Sequence, residues 1–199
     1  HMKCLIVTAH PLQDGLCSFF SEKVAQKLQK MGHDVKIDNL YAEKFDPALS
    51  RSERISYYDE PYDISKMEDQ VARLKEAEGL VLLYPTWWFG FPAVLKGWFD
   101  RVWGPGVAFD HTENFGPIKS RLDMLEKVLA ITTLGAPWWV DRLVMRQPLK
   151  RVLKTAILGT CARKSKLKYM SLYKTELLSK QQISDFTSKI ESTIESWFV

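Results

Sequence analysis

Three short and almost wholly apolar runs, at 3–9, 79–84 and 127–133, set the tightest limit on how this chain can fold. Each is too short for a buried helix and has no alternating polar face, so each predicts a strand covered on both sides. Between them the apolar residues change to helical spacing. Phe19, Phe20, Val24, Ala25 and Leu28 share one face of a helix over 16–31, with Gly32 as its stop. Similar spacing predicts helices over 63–77, 92–103, 148–158 and 179–197. Pro148 opens the fourth and Gly159 ends it, while Ser179 caps the fifth. Residues 34–38 alternate like an edge strand, and 167–173 form a fifth strand. Residues 40–62 and 104–125 read as long loops. Five alternations of strand and helix imply right-handed crossovers. The expected fold class is α/β: a doubly wound, five-stranded parallel sheet with helices on both faces.

Bulk properties narrow the function. The 199 residues are expected to form one domain over 3–199, with His1-Met2 read as an expression-vector remnant outside the fold. A net charge of +4 is small for this length. It permits an anionic ligand and gives no sign of nucleic acid. Cys4, Cys17 and Cys161 have no metal or CxxC spacing, which argues against a disulfide scaffold and for a reducing, cytoplasmic setting. No apolar run approaches the ~20 residues of a membrane span, and no signal peptide is visible. His33, following a helix stop, is expected at the surface.

In an open parallel sheet, ligands bind beyond the carboxyl ends of the strands, where strand order reverses. Three segments there stand out. After the third strand comes Pro85-Thr86-Trp87-Trp88-Phe89-Gly90. Three bulky aromatics between a strand and a helix are badly sited for a core and well sited as a wall for a planar ring. Their backbone amides could meet the ring edge. After the first strand, His10 to Ser18 opens a helix whose free N–H groups can seat a phosphate. That loop has no GxGxxG, no GxxxxGK[ST] and no Lys or Arg, so amides and helix dipole would hold the anion. The fourth strand ends Thr132-Thr133-Leu134-Gly135-Ala136-Pro137-Trp138-Trp139, whose hydroxyls could meet a ring while the tryptophans roof it. Each segment alone also reads as ordinary packing, and their convergence on one edge favours a site. Residues 141–168 carry nine cations against Asp141, read as a solvated face or as a contact for a nucleotide phosphate, an anionic membrane or an acidic partner. His111 faces either the pocket or water. No HExxH, nucleophile elbow or metal-ligand pair is present, and no metal is expected.

These motifs resemble the flavodoxin-like NAD(P)H:quinone oxidoreductases, a group that includes small reductases attached to potassium efflux systems. The likeness spans nearly the whole chain. Ala9-His10-Pro11 with Leu16-Cys17 is similar to the family's first loop. Asn39-Leu40-Tyr41, Phe45-Asp46-Pro47 and Leu49-Ser50 are similar to its excursion after the second strand. The stretch from Pro85 to Val102 is the most specific, and Thr132-Thr133 with Gly135 resembles the fourth-strand motif.

The resemblance implies FAD, or FMN, bound without a covalent link. NAD(P)H would be the co-substrate and a quinone-like molecule the acceptor, taking turns in one place by a ping-pong mechanism. It also implies a homodimer with the pocket at the subunit interface. By the same likeness His10, Gly15, Leu16 and Cys17 hold the phosphate end. Pro85, Thr86, Trp87, Trp88 and Phe89 hold the ring, chiefly through the amides of Trp88 and Phe89. Thr132, Thr133 and Gly135 meet its pyrimidine side, and Phe109, His111, Trp138 and Trp139 line the substrate pocket. Three positions depart from the pattern: Gly15 stands for a Ser, Leu134 for a Gly, and Trp138-Trp139-Val140 fills the region of a Tyr and a His. No acid–base residue is therefore assigned. Two other classes share the fold: a one-electron carrier, and an ancillary subunit of a membrane transporter.

Overall fold

β1 (Lys3–Thr8) is an inner strand of the main sheet, and Cys4 to Val7 are apolar on both faces because both faces are covered. The computed structural model describes residues 1–59 and 61–199. In chain order there follow α1 (Leu16–Lys30), β2 (Asp34–Asn39), α2 (Arg51–Ser56), α3 (Glu68–Glu76) and β3 (Gly79–Pro85). Next come α4 (Ala93–Val102), a two-stranded antiparallel ribbon of β4 (Phe109–Asp110) and β5 (Lys119–Ser120), and β6 (Lys127–Thr133). A helix over 148–161 is α5, followed by β7 (Lys166–Leu172) and α6 (Lys180–Trp197).

The main sheet is parallel throughout, in the order β2-β1-β3-β6-β7. The expected doubly wound architecture is thus present, with β2 at an edge. Alternate side chains divide the core. Leu80, Leu82 and Tyr84 pack under α3, α4 and α5, while Val81 and Leu83 pack under α1 and α6. The chain leaves β1 for β2 on one side and β3 for β6 on the other, so strand order reverses between β1 and β3. A crevice for a ligand belongs at that point.

Several elements differ from expectation. The helix expected over 63–77 starts only at Glu68, because Asp63 Oδ1 accepts from the N–H and hydroxyl of Ser65 and holds a local turn instead. The 40–62 excursion contains α2, begun by a capping box between Ser50 and Glu53. Glu53 then forms a buried ion pair with Arg101 of α4, whose guanidinium also donates to the Asp46 carbonyl. Gly159 does not end α5. Its φ of −61° is helical, and the helix continues to Cys161 with π geometry over Val152–Leu158.

His33 is buried rather than on the surface. Its Nδ1 accepts from Met2 N–H at 3.1 Å and its Nε2 bonds the Phe198 carbonyl at 2.9 Å, tying the two chain ends together. Met2, set aside as a remnant, places its side chain in the core beside α1 and α6.

Candidate functional site

The aromatic segment after β3 is a strained turn. Thr86 N–H donates to the Thr133 carbonyl at 2.8 Å and carries the β3–β6 ladder one residue further. Trp87 and Gly90 then exchange backbone hydrogen bonds of 3.2 and 3.0 Å, closing a reversal over Trp88 and Phe89. Both central residues are left-handed, with φ of 52° and 55°. That is the pattern of a type I′ turn, which ordinarily takes Asn-Gly. Two large aromatics there cost about 1–2 kcal/mol each. Trp88 is also fully exposed, and the amides of Trp88 and Phe89 have no hydrogen-bond acceptor among the described residues. Backbone strain combined with free donors and exposed rings is the signature of a site rather than of a core.

The first loop meets this turn. The His10 ring lies 6.1 Å from that of Trp87, and His10 Nδ1 accepts from Leu12 N–H at 3.1 Å. Gln13 donates to the His10 carbonyl and accepts from Asn39, so the loop is braced against the end of β2. Gly15 is the residue before α1, in extended conformation with no side chain to cap the helix. The first-turn amides of α1, at Leu16, Cys17 and Ser18, are therefore open. The hydroxyl of Thr8, buried at the end of β1, has no partner among the described residues, and a cleft of about 350 Å³ opens beside Thr8, His10, Gln13 and Ser18.

The end of β6 closes the set. Thr132 Oγ1 lies 2.7 Å from Thr86 Oγ1. Thr132 and Thr133 are both buried, and the Thr132 hydroxyl joins the end of β6 to the end of β3. Cys17 is buried too. Desolvation pushes its thiol up to about 12 against the lowering effect of Thr133, leaving its amide, not its sulfur, to meet a ligand. Leu134 is buried with its N–H on the Leu172 carbonyl, so the residue standing for a glycine points inward and keeps the loop in register. Gly135 is exposed, and Trp138 and Trp139 are each about half exposed, 53% and 50%.

Contacts therefore join His10 to Trp87 and Thr86 to Thr132. Phe109 and His111 lie elsewhere: their rings pack together and against Tyr57. His111 also stacks on Tyr58 beside a separate pocket of about 390 Å³. Sequence reasoning missed four groups. Tyr84 and Tyr169 are hydroxyl neighbours at 3.1 Å, and Tyr173 donates to the buried Asp141 at 2.8 Å. Their signal in the sequence was slight: tyrosines in otherwise aliphatic strands, and one acid in a basic stretch.

A doubly wound sheet with amide-rich loops at its switch point defines a class of proteins that bind a flat, phosphate-bearing cofactor there. The comparisons agree on the fold. The family model described as having a flavodoxin-like fold matches residues 2–192, and the chain belongs to that family. NAD(P)H dehydrogenase [quinone] 1 of Cavia porcellus is 31% identical over 152 residues, 67% of this chain and 54% of its own length. The chain thus spans about half of that relative. The crystal structure of Smu.1420 from Streptococcus mutans UA159 superposes with a TM-score of 0.84 at 30% identity, covering 96% of this chain and 97% of its own. NAD(P)H:quinone oxidoreductase from Methanothermobacter marburgensis superposes with a TM-score of 0.80 at 23% identity, covering 96% and 94%, and attests the fold.

Proposed function

We propose that this protein is a flavin-dependent oxidoreductase that passes electrons from NADH or NADPH to quinones or similar acceptors. One observation carries the reading: the strained Trp87–Gly90 turn at the switch point, with free amides and an indole wholly in water. The donor set suits FAD or FMN. Open first-turn amides of α1 offer a seat for phosphate without a cation, and the turn offers amides and flat apolar surface for a ring. The flavin, when bound, supplies a ring that takes two electrons from the nicotinamide and yields them to the acceptor in separate half-reactions. Trp88 and Phe89 hold the ring edge with their amides, Trp88 and Trp87 give it flat contact, and Trp138 and Trp139 exclude water from its outer face. His10, Gly15, Leu16 and Cys17 bind the phosphate end, the last three through backbone.

The same reading takes a homodimer as the working unit. Trp88, Trp138, Trp139, Leu143 and Val144 are exposed apolar side chains near this edge, and a second copy would cover them. His111 lines another pocket of its own chain and Phe109 is buried in the core beside it, so they reach a substrate only if a partner brings them. Three free, buried cysteines fit a reducing compartment. Among the described residues no helix is long and apolar enough to cross a membrane.

The test is direct. Purified protein incubated with FAD or FMN and desalted should retain a yellow chromophore, and should then oxidise NADH or NADPH with menadione as acceptor. Flavin retention without turnover would favour a carrier or ancillary role, and colourless protein would remove the proposal. Sedimentation of the loaded protein as a single copy would remove the dimer.

A further inference from the structure

Between Leu134, after β6, and Leu149, in α5, the chain is built inside out. Trp138, Trp139, Leu143, Val144 and Met145 are exposed, and the only buried residue over 135–148 is Asp141. That reverses the usual placing of apolar and charged groups. A buried carboxylate needs a donor, and the Tyr173 hydroxyl, just beyond β7, supplies one. It donates to Asp141 Oδ2 at 2.8 Å and accepts from Arg142 Nε at 3.3 Å, with the Arg142 guanidinium 5.9 Å from the centre of the Tyr173 ring. Arg142 thus braces Tyr173 from the other side. The ends of the segment are held by backbone. Thr175 and Lys174 N–H groups donate to the Leu134 and Ala136 carbonyls at 3.1 and 3.3 Å. At the far end Gln147 N–H donates to the Asp141 carbonyl at 2.8 Å, across the left-handed pair Arg146 and Gln147, φ 58° and 47°. With no buried apolar anchor between these ends, the Asp141–Tyr173 bond ties the middle of the segment to the body of the protein. A segment so attached opens at low free-energy cost.

We propose that residues 137–147 are a lid on the outer face of the bound ring, latched by the Tyr173–Asp141 hydrogen bond, with Tyr173 as a positioning residue for Trp138 and Trp139. What the lid covers rests on the flavin reading above and deepens it; the latch stands on the bond itself. Latched, the helical turn holds both tryptophans within one turn of their anchor and so fixes them relative to β6 and β7. Without the Tyr173 donor, a buried carboxylate is costly, and the segment swings out to carry Asp141 to water. The tryptophans leave with it. An acceptor then loses an aromatic wall, while the flavin keeps its own seat on the Trp87–Gly90 turn and the start of α1. The latch therefore governs acceptor binding and not flavin retention.

Tyr173→Phe, Asp141→Leu and the double variant test it. The first leaves the carboxylate without its donor, the second gives the lid an apolar anchor of similar shape, and removing both partners together is close to neutral. Brief trypsin digestion of the dilute, flavin-free chain reads the open population through cleavage at Arg142 and Arg146. Tyr173→Phe should be cut there roughly tenfold faster than wild type or more, and Asp141→Leu and the double variant at about the wild-type rate. Loaded with FMN or FAD, Tyr173→Phe should raise the KM for menadione about 2- to 12-fold with flavin affinity unchanged, and the double variant should restore it. A purely structural Tyr173 would instead lower the melting temperature in single and double variants alike and speed cleavage throughout the chain. Wild-type cleavage of Tyr173→Phe, or a double variant as open as the single, would overturn the latch. Faster cleavage at Arg142 and Arg146 with an unchanged KM would overturn the lid's place over the ring. A wild-type chain that takes up no flavin would overturn the flavin reading and the lid's role with it, whatever trypsin shows of the latch.

Discussion

Replacing Trp88 by Asn should make the protein more stable and a poorer flavin binder at once. The wild-type residue sits at φ 52°, where a bulky L side chain costs about 1–2 kcal/mol and Asn is tolerated far better. Nothing offsets the change in packing, because the Trp88 side chain is fully exposed and buries no surface in the free chain. The net gain is about 1 kcal/mol, which for a chain of this size raises the melting temperature by roughly 2–4 °C. Loss of the indole face removes aromatic contact worth about 0.5–1.5 kcal/mol, so flavin affinity should fall about 2- to 12-fold. Thermal unfolding of dilute, flavin-free protein reads the first effect without a contribution from subunit association. Titration by flavin fluorescence quenching reads the second. A lower melting temperature would mean that the turn is not strained or that the indole packs on something. Unchanged flavin affinity would mean that the ring lies elsewhere.

Three further outcomes follow from the geometry. Gly15→Ser should be tolerated, with flavin affinity equal or tighter, because φ is −88° and the new Cβ would come no nearer than 3.7 Å to Leu12; a large loss of affinity would refute this placement of the loop. Gly97→Ala should destabilise by about 1–3 kcal/mol in a denaturant titration, since its Cβ would lie 2.3 Å from Pro47 backbone atoms, and an unchanged midpoint would show that the excursion moves freely. Asp38 is buried at the end of β2, and desolvation outweighs Arg73 to push its carboxyl from 3.8 up to about 6. The folded state therefore binds the extra proton more tightly than the unfolded chain. Stability should fall as pH rises from about 4 to 6, by roughly 1–3 kcal/mol, and stay low above that window. Asp38→Asn should flatten that slope in pH-dependent melts, and an equal slope in the variant would assign it to another group.

The sequence made the sheet legible because both-faces-buried strands and amphipathic helices have different periods, and no tertiary contact is needed to tell them apart. β1, β3 and β6 fall where their apolar runs end, and Ser179 caps α6 through a box with Gln182 as its residue type predicts. Position along the chain also located the site, since the switch point follows from strand order. What stayed hidden depends on distant partners. α2 is polar and short, and its fit in the fold comes from Glu53 meeting Arg101, 48 residues away. His33 looks like a surface residue until both chain ends arrive to bond it. The Tyr84–Tyr169 and Thr86–Thr132 contacts require three strands in register. Phe109 and His111 carried no local sign that their own chain would bury the one and hold the other in a separate pocket.

A strained turn persists only where its surroundings over-determine it, and here the restraints can be traced outward. On the strand side Thr86 is fixed through Thr133, and Trp87 is locked to Gly90. On the helix side Phe91 packs edge-on against Tyr84 and tilted against Phe99, so the residue after the turn is held between β3 and α4. α4 is itself immobilised by close approach of Gly97 to Pro47 and by the buried Arg101–Glu53 pair. Tyr62 adds a hydrogen bond of 2.8 Å to the Arg101 carbonyl. The 40–62 excursion, which contributes none of the candidate cofactor-binding residues, therefore clamps the helix that clamps the turn. Loosening it should relax Trp88 and Phe89 toward ordinary φ values and withdraw their amides from the ring. Gly97→Ala should accordingly weaken flavin binding along with stability, whereas a substitution that only unfolds the chain would leave the affinity of the folded fraction intact.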